Sequence, residues 1–184
     1  MRRIILAVFI IFCSLTVAFA CGKERWPVKT GADRDAGNVT TDPQASTIAE
    51  LTDLHAPPNP NSRKSSRFAP ELKTYRINAI LTLIKKEADE DYHIVIADPD
   101  DEELTMIIES VAPSCTEGSL FTQEIEDVRK ALDQKFGAVS KKKKTNLNIP
   151  VTVTGIGFFD PIHGQEGVAP NGVELHPILG ITFN

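Results

Sequence analysis

The spacing of the apolar residues changes along the chain, and the order of these changes constrains the fold more than any other feature. Three successive segments alternate apolar and polar residues, as half-buried strands do: TYRINAILTLIKKE, DYHIVIAD and LTMIIESV. The short acidic stretches between them, EADED and DPDDEE, are typical of hairpin turns. The sequence therefore predicts a three-stranded antiparallel meander.

A single helical pattern follows the meander. Ile125, Val128, Leu132 and Phe136 recur at helical spacing, with Thr122 as the expected cap and a glycine at position 137 as the stop. Two more alternating segments, IPVTVTGIGFFD and VELHPILGITF, come after the helix. The predicted order is thus β-β-β-α-β-β.

This order resembles that of the OB-fold, a five-stranded Greek-key barrel with its helix between the third and fourth strands. The resemblance covers residues 74–184 and implies a mainly β, α+β domain, which we place at residues 70–184. Pro177 has no amide hydrogen to donate, so its part of the last strand is expected at a sheet edge or a bulge.

Residues 1–20 have the character of an export signal. Arg2 and Arg3 precede an apolar run that ends in the small residues Ala18 and Ala20. An uncleaved membrane anchor is the alternative, because the run is close to the lower length limit for spanning a bilayer. Either interpretation predicts an exported domain that is periplasmic, secreted or lipid-anchored.

Residues 21–69 are polar and rich in turn-forming residues, which predicts an irregular arm or linker. One short helix is expected near residues 47–54, where Thr47 and Glu50 form a capping box. Trp26 is unusually apolar for a free linker, so the arm is expected to dock on the barrel.

Cys21 admits two interpretations. Its position directly after Ala18, Phe19 and Ala20 is similar to that of the acceptor cysteine of bacterial lipoproteins, which would make a lipid the protein's contact with the membrane. Without a lipid, Cys21 and Cys115 are the thiols of the exported chain and would pair in an oxidising compartment.

The charge of the exported chain argues against a nucleic-acid partner. Without Arg2 and Arg3, 18 basic residues remain against 25 acidic ones, a net charge of −7. Such a balance opposes binding to phosphates. The lysine run at residues 141–144 is most typical of a solvated loop.

The turn between the last two strands carries candidate metal ligands. Asp160, His163, Glu174 and His176 offer the oxygen and imidazole donors that bind zinc or another divalent ion. The same residues also suit a purely structural turn without a cofactor, since Pro, Gly and Asn surround them.

Further candidate ligand-binding residues lie on the neighbouring strands. His93 and Glu109 would share a face if the second and third strands pair, and Phe158 is one of the two aromatic residues nearest the predicted groove. Together with His163 and His176 they form the predicted ligand-binding set.

Three strings, RWPVKTGADRDA, DYHIVIADP and GFFDPIHGQEGVAPNGVELHP, resemble those of an uncharacterised family of exported bacterial proteins. This resemblance implies no activity. The sequence favours an exported OB-like binding or interaction module with an envelope or extracellular partner. A metal-dependent hydrolase of phosphodiesterase type, using the candidate metal ligands, is the first alternative. Binding of single-stranded nucleic acid or oligosaccharide is the second.

Overall fold

The computed structural model describes residues 21, 22, 24–64 and 66–184; the predicted export signal lies outside them. Within these ranges, six strands and three helices form the framework. In chain order these are α1 (Trp26–Thr30), β1 (Thr40–Ala45), α2 (Ile48–Thr52), β2 (Lys73–Lys86), β3 (Tyr92–Ala97), β4 (Thr105–Ser110), α3 (Thr122–Phe136), β5 (Ile149–Phe159) and β6 (Val173–Phe183). Short 3₁₀ turns at Ala36–Asn38, Pro60–Ser62, Ala69–Leu72 and Pro113–Cys115 connect them.

Strands β2 to β6 close into a barrel. The sheet order is β1-β2-β3-β4-β6-β5, and β2 also pairs with β5, which joins the two ends. The pairs are antiparallel except β1 with β2 and β4 with β6. With α3 between β4 and β5, this is the predicted OB-type, mainly β fold, which the structure confirms.

The interior of the barrel is filled by the inward faces of the alternating strands. Ile77, Leu81, Ile94 and Val153 are at most 1% exposed and belong to one apolar cluster. The α3 residues Val128 and Leu132 belong to the same cluster, together with a wider set of strand residues. The helical pattern of the sequence therefore serves to cover the barrel core.

The ends of α3 match the prediction at one side only. Gly137 follows the last helical residue with φ +69°, a left-handed conformation that suits glycine, so the predicted stop is confirmed. The N-cap, however, is Phe121 and not Thr122. The Ser119 hydroxyl accepts a hydrogen bond from the Phe121 amide, which satisfies a donor just ahead of the helix.

Strand β6 departs from strict alternation, as the proline suggested. Gly155 and Gly157 of β5 pair with Ile178 and Leu175, so two residues of β6 face one residue of β5 at a bulge. A second register shift follows beside Thr154. Simple alternation would place Pro177 and Leu179 on the core side; instead, the shifts turn Ile178 into the core.

The arm docks on the barrel and adds a strand to it. β1 pairs in parallel with β2, from Thr40 opposite Lys73 to Ala45 opposite Arg76. Helix α2 begins at a capping box in which the Thr47 hydroxyl accepts from the Glu50 amide and the Glu50 carboxylate accepts from the Thr47 amide. None of the helices in the described ranges has the length and apolar character needed to cross a membrane.

Candidate functional site: an acidic cleft over a buried carboxylate and histidine cluster

A cleft of about 600 Å³ opens on the side of the barrel where two loops meet. One is the β2–β3 loop, residues 87–91, and the other is the β5–β6 loop, residues 160–172. Strands β3, β4 and β6 form its floor through His93, Glu109 and Glu174. Trp26 and Lys29 of the arm complete the wall. Such loop-flanked faces are where OB-type barrels bind their ligands.

Carboxyl groups dominate the cleft. Among the described residues that line it, two are lysines, and seven carry a carboxyl group. Lys29 Nζ lies 3.4 Å from the Asp160 carboxylate, and Lys85 Nζ lies 2.8 Å from that of Glu87. The lining carboxyl groups belong to Glu24, Glu87, Asp89, Glu109, Asp160, Glu166 and Glu174.

His176 lies at the centre of a buried charge cluster beneath the floor. Its Nδ1 is 3.1 Å from an oxygen of Glu109 and 3.1 Å from an oxygen of Glu174, and its Nε2 is 3.5 Å from Asp91 Oδ2. The side chains of His176 and Asp91 are inaccessible, whereas Glu109 is 13% exposed toward the cleft. Three carboxylates therefore surround one imidazole in a region that excludes water.

Burial and mutual contact shift the pKa values of Glu174 and His176 upward and that of Glu109 downward. Burial, reinforced by the charge of Glu109, raises the pKa of Glu174 to about 7. Burial alone would also raise the pKa of Glu109, but the His176 charge and the hydrogen bonds from His176 and His93 lower it well below its ordinary value. Burial opposes the charge of His176, yet the carboxylates of Glu109, Asp91 and Glu174 raise its pKa well above 6.5.

His93 and Glu109 face each other across β3 and β4, as predicted for a paired register. The two residues are direct partners in the ladder, and His93 Nδ1 lies 3.3 Å from Glu109 Oε1. His93 Nε2 lies 3.0 Å from the Glu166 carbonyl oxygen of the β5–β6 loop. Burial would lower the pKa of His93, but the hydrogen bond and charge of Glu109 raise it. Each ring nitrogen faces an oxygen atom.

The β5–β6 loop holds His163 outward, away from the buried cluster. Gln165 donates to Asp160 Oδ2 and to the Pro161 carbonyl oxygen, and its own side-chain oxygen accepts from the His163 amide. The His163 side chain is 63% exposed, with Nε2 3.6 Å from Asp160. Of the four predicted metal ligands, Glu174 and His176 are in direct contact, while Asp160 and His163 form a second pair at the mouth.

Phe158 lies under the cleft and does not line it. The side chain is fully buried, with its ring 5.7 Å from that of His176 and 4.7 Å from the Arg25 guanidinium carbon. Phe159, its neighbour, points into the barrel core. Phe158 therefore supports the floor and offers no accessible face for stacking.

Two buried arginine–carboxylate pairs hold the arm that walls the cleft. Arg25 makes a bidentate contact with Glu71, both N···O distances being 2.6 Å, and it also donates to the Phe159 carbonyl oxygen. Arg67 and Asp33 form the second pair, at 2.7 Å. Bidentate pairing fixes orientation as well as position, so the wall beside Lys29 is a built part of the molecule.

Cys21 and Cys115 form a disulfide, with 5.7 Å between their Cα atoms. Of the two alternatives that the sequence left open for Cys21, the structure contains the disulfide. The bond joins the start of the arm to the 3₁₀ turn after β4, adjacent to Gly22 and Glu24 of the cleft.

Sequence reasoning missed several residues of this site, among them Lys29, Asp89 and Asp91. Lys29 reaches the cleft only because the arm folds back on the barrel. The sequence places Asp89 and Asp91 in an acidic hairpin turn. Asp91 is 1% exposed, and its Oδ1 accepts from the Ala112 amide at 2.7 Å. The available signal was the position of Asp91, a carboxylate directly before β3, a strand whose six residues are all buried.

The strand order and the cleft define the class of protein: an OB-type barrel with a ligand-sized acidic cleft. No family model matches the chain, and no curated protein does. Among solved structures, a "putative aspartyl-tRNA synthetase" from Leishmania major Friedlin is similar, with 13% sequence identity and a TM-score of 0.45. The similarity covers 79% of this chain and 21% of the synthetase chain.

Proposed function

We propose that the protein is an exported binding module whose ligand is a cation. The observation that carries the proposal is the charge of the cleft, where seven carboxyl groups face two lysines among the described lining residues. A cleft lined by one sign of charge concentrates ligands of the opposite sign and accelerates their association. The two lysines are already engaged with Asp160 and Glu87. Lys143 pairs with Glu166, and the buried histidines contact Glu109 and Glu174. Among the described lining residues, Glu24 and Asp89 are therefore the carboxylates left to the ligand.

Two observations support export. The segment at residues 1–20 has the composition of a signal peptide, and disulfides such as Cys21–Cys115 persist mainly in oxidising compartments. A sulfur engaged in this disulfide is not free to carry a lipid, so we infer a periplasmic or secreted protein. Fractionation of cells expressing the full chain should place it outside the cytoplasm, in its oxidised form.

The same charge pattern disfavours nucleic acid. Phosphate-binding clefts carry a basic surface, and single strands are held by exposed aromatic rings. Here two carboxylates and His93 form the floor, Phe158 is buried, and Trp26 is the one Phe, Tyr or Trp residue among the described lining residues. Metal-dependent hydrolysis stays a prediction, as do oligosaccharide binding and an envelope partner.

Isothermal titration calorimetry with spermidine, inorganic phosphate and a single-stranded oligonucleotide tests the proposal. We expect spermidine to bind saturably and the two anions not to bind. Asp89→Asn removes a charge from the cleft, while Asp101→Asn removes one from the exposed β3–β4 hairpin and serves as the matched control. Spermidine affinity should fall in the first variant only. Tighter binding of either anion, or equal losses in both variants, would contradict a cation-binding cleft.

A further inference from the structure

We propose that Asp91, Glu109 and His176 bind a divalent transition-metal ion beneath the floor of the cleft. One ligand atom from each of these side chains lies within 4.8 Å of the other two. The inference rests on the proposed function, because the ion would reach this position through the acidic cleft. The inference goes beyond the proposed function because it names the class of cation and the side-chain atoms that hold the ion.

Two buried polar atoms point to the ion. His176 Nε2 and Asp91 Oδ2 are both inaccessible, and within the described part of the chain neither has a hydrogen-bond partner. Buried polar atoms of folded proteins are satisfied in the great majority of cases, since an unsatisfied one is costly. Asp91 lies in the β2–β3 loop and His176 on β6. The two atoms face each other as an ion pair at 3.5 Å.

Their separation fits a shared metal better than a direct hydrogen bond. The Nε2–Oδ2 distance is 3.5 Å, whereas N–H···O hydrogen bonds span about 2.7 to 3.2 Å. Two ligands of a tetrahedral zinc ion, each about 2.1 Å from the metal, are about 3.4 Å apart. The pair is therefore already spaced as neighbouring ligands.

The other atoms of the cluster orient these ligands. His176 Nδ1 lies 3.1 Å from both Glu174 Oε1 and Glu109 Oε2, which leaves Nε2 as the coordinating nitrogen. Glu109 Oε2 would turn from Nδ1 toward the ion when it binds. A carboxylate on the far nitrogen is the usual partner of a metal-bound histidine. Asp91 Oδ1 is held by the Ala112 amide, which directs Oδ2 inward. Glu109 Oε1 is held by His93.

The donor set selects the class of metal. Calcium and magnesium prefer oxygen donors alone, and a buried imidazole nitrogen with two carboxylates favours zinc or a related transition metal. Two carboxylates also balance the two positive charges of the ion. We therefore name Zn²⁺ as the probe.

The experiment is a zinc titration of the chelator-treated, untagged exported chain, followed by competition with a chromophoric zinc chelator. We expect one zinc ion per wild-type chain. Asp91→Asn should weaken binding more than about 100-fold, because the loss of an outer partner alone costs about 10- to 100-fold. This variant should still fold, since the asparagine amide can donate to His176 Nε2 while its oxygen accepts from Ala112. His55→Ala, a change at an exposed histidine of the arm that does not line the cleft, is the matched control and should leave zinc affinity unchanged.

A measurement on unmutated ligands covers the case in which Asp91→Asn does not fold. In the imidazole ¹H–¹⁵N spectrum of the His55→Ala protein, zinc should shift the Nε2 signal of His176 while Nδ1 stays protonated. Wild-type zinc affinity in a folded Asp91→Asn protein, or an unshifted His176 signal at saturating zinc, would overturn the metal site.

The outcomes separate the two proposals. Spermidine binding without stoichiometric zinc would leave the cation-binding cleft standing and remove the metal site. Loss of both activities would remove both.

Discussion

The ion pair between Arg25 and Glu71 fastens the arm to the barrel, and the effect of breaking it can be worked from the structure. Two guanidinium nitrogens lie 2.6 Å from the two carboxylate oxygens, and the side chains are 1% and 0% exposed. Arg25→Met keeps much of the aliphatic stem but leaves the buried Glu71 charge without its cationic partner, held by the backbone amides of Phe68 and Phe159. Removing one partner of a buried pair costs about 3 to 5 kcal/mol.

We therefore expect Arg25→Met to lower the free energy of unfolding by about 4 kcal/mol at neutral pH. In urea, with a slope of about 2 kcal/mol per molar, the unfolding midpoint would fall by about 2 M. Circular dichroism follows the transition. Arg34→Met is the matched control, because Arg34 is 76% exposed and 3.8 Å from Asp35. Its effect should stay below about 1 kcal/mol.

A double variant tests the physical cause. Adding Glu71→Gln to Arg25→Met replaces the stranded charge with a neutral amide, so the combined loss should be smaller than the sum of the two single losses. Two results would refute the reasoning: a loss below about 1 kcal/mol for Arg25→Met with an unchanged slope, or strictly additive losses in the cycle.

Three further predictions concern the cleft and its frame. In the presence of chelator, the free energy of unfolding of the wild type should fall as pH rises from 4.5 to 7. The pKa of Glu174 is raised to about 7 in the native state, so the native state keeps a proton that the unfolded chain releases. Glu174→Gln lacks this fall, so its stability relative to the wild type should grow by about 3 kcal/mol over that range in urea titrations; a constant difference would contradict the shift. Cys115→Ser opens a cross-link between residues 94 positions apart and should cost about 4 to 5 kcal/mol under oxidising conditions, and an unchanged unfolding midpoint would refute this. Gly167→Ala should cost about 1 to 3 kcal/mol, because φ is +80° and the new Cβ would clash with the Val95 side chain. Gly164→Ala shares the positive φ but has open space around it, and equal thermal shifts in the two variants would exclude the steric explanation.

The barrel could be predicted from the sequence because each strand and α3 carries its own period. Each strand turns one face toward the core. The alternation of apolar and polar residues around positions such as Ile77 and Val153 indicates which face that is. The sequence indicated that His93 and Glu109 would share a face if β3 and β4 paired, and the structure makes them ladder partners. Local patterns therefore predicted the fold, whereas the register that joins these two residues came from the structure.

The remainder of the site depends on contacts that local patterns do not encode. Lys29 enters the cleft through the path of the arm, which is set by distant partners such as Arg25 with Glu71. The outward position of His163 is set by the Gln165 hydrogen bonds inside a loop of 13 residues. The bulges of β6 shift the register by single residues, and periodicity cannot locate such shifts.

The measurement that tests the acidic cleft most directly is a backbone ¹H–¹⁵N NMR titration of the exported chain with spermidine at physiological salt. We predict saturable shifts of the amides in the β2–β3 loop, residues 87–91, and in the β5–β6 loop, residues 160–172, with the hairpin at residues 98–103 unchanged. Shifts centred on that hairpin, or none at saturating spermidine, would contradict the proposed site.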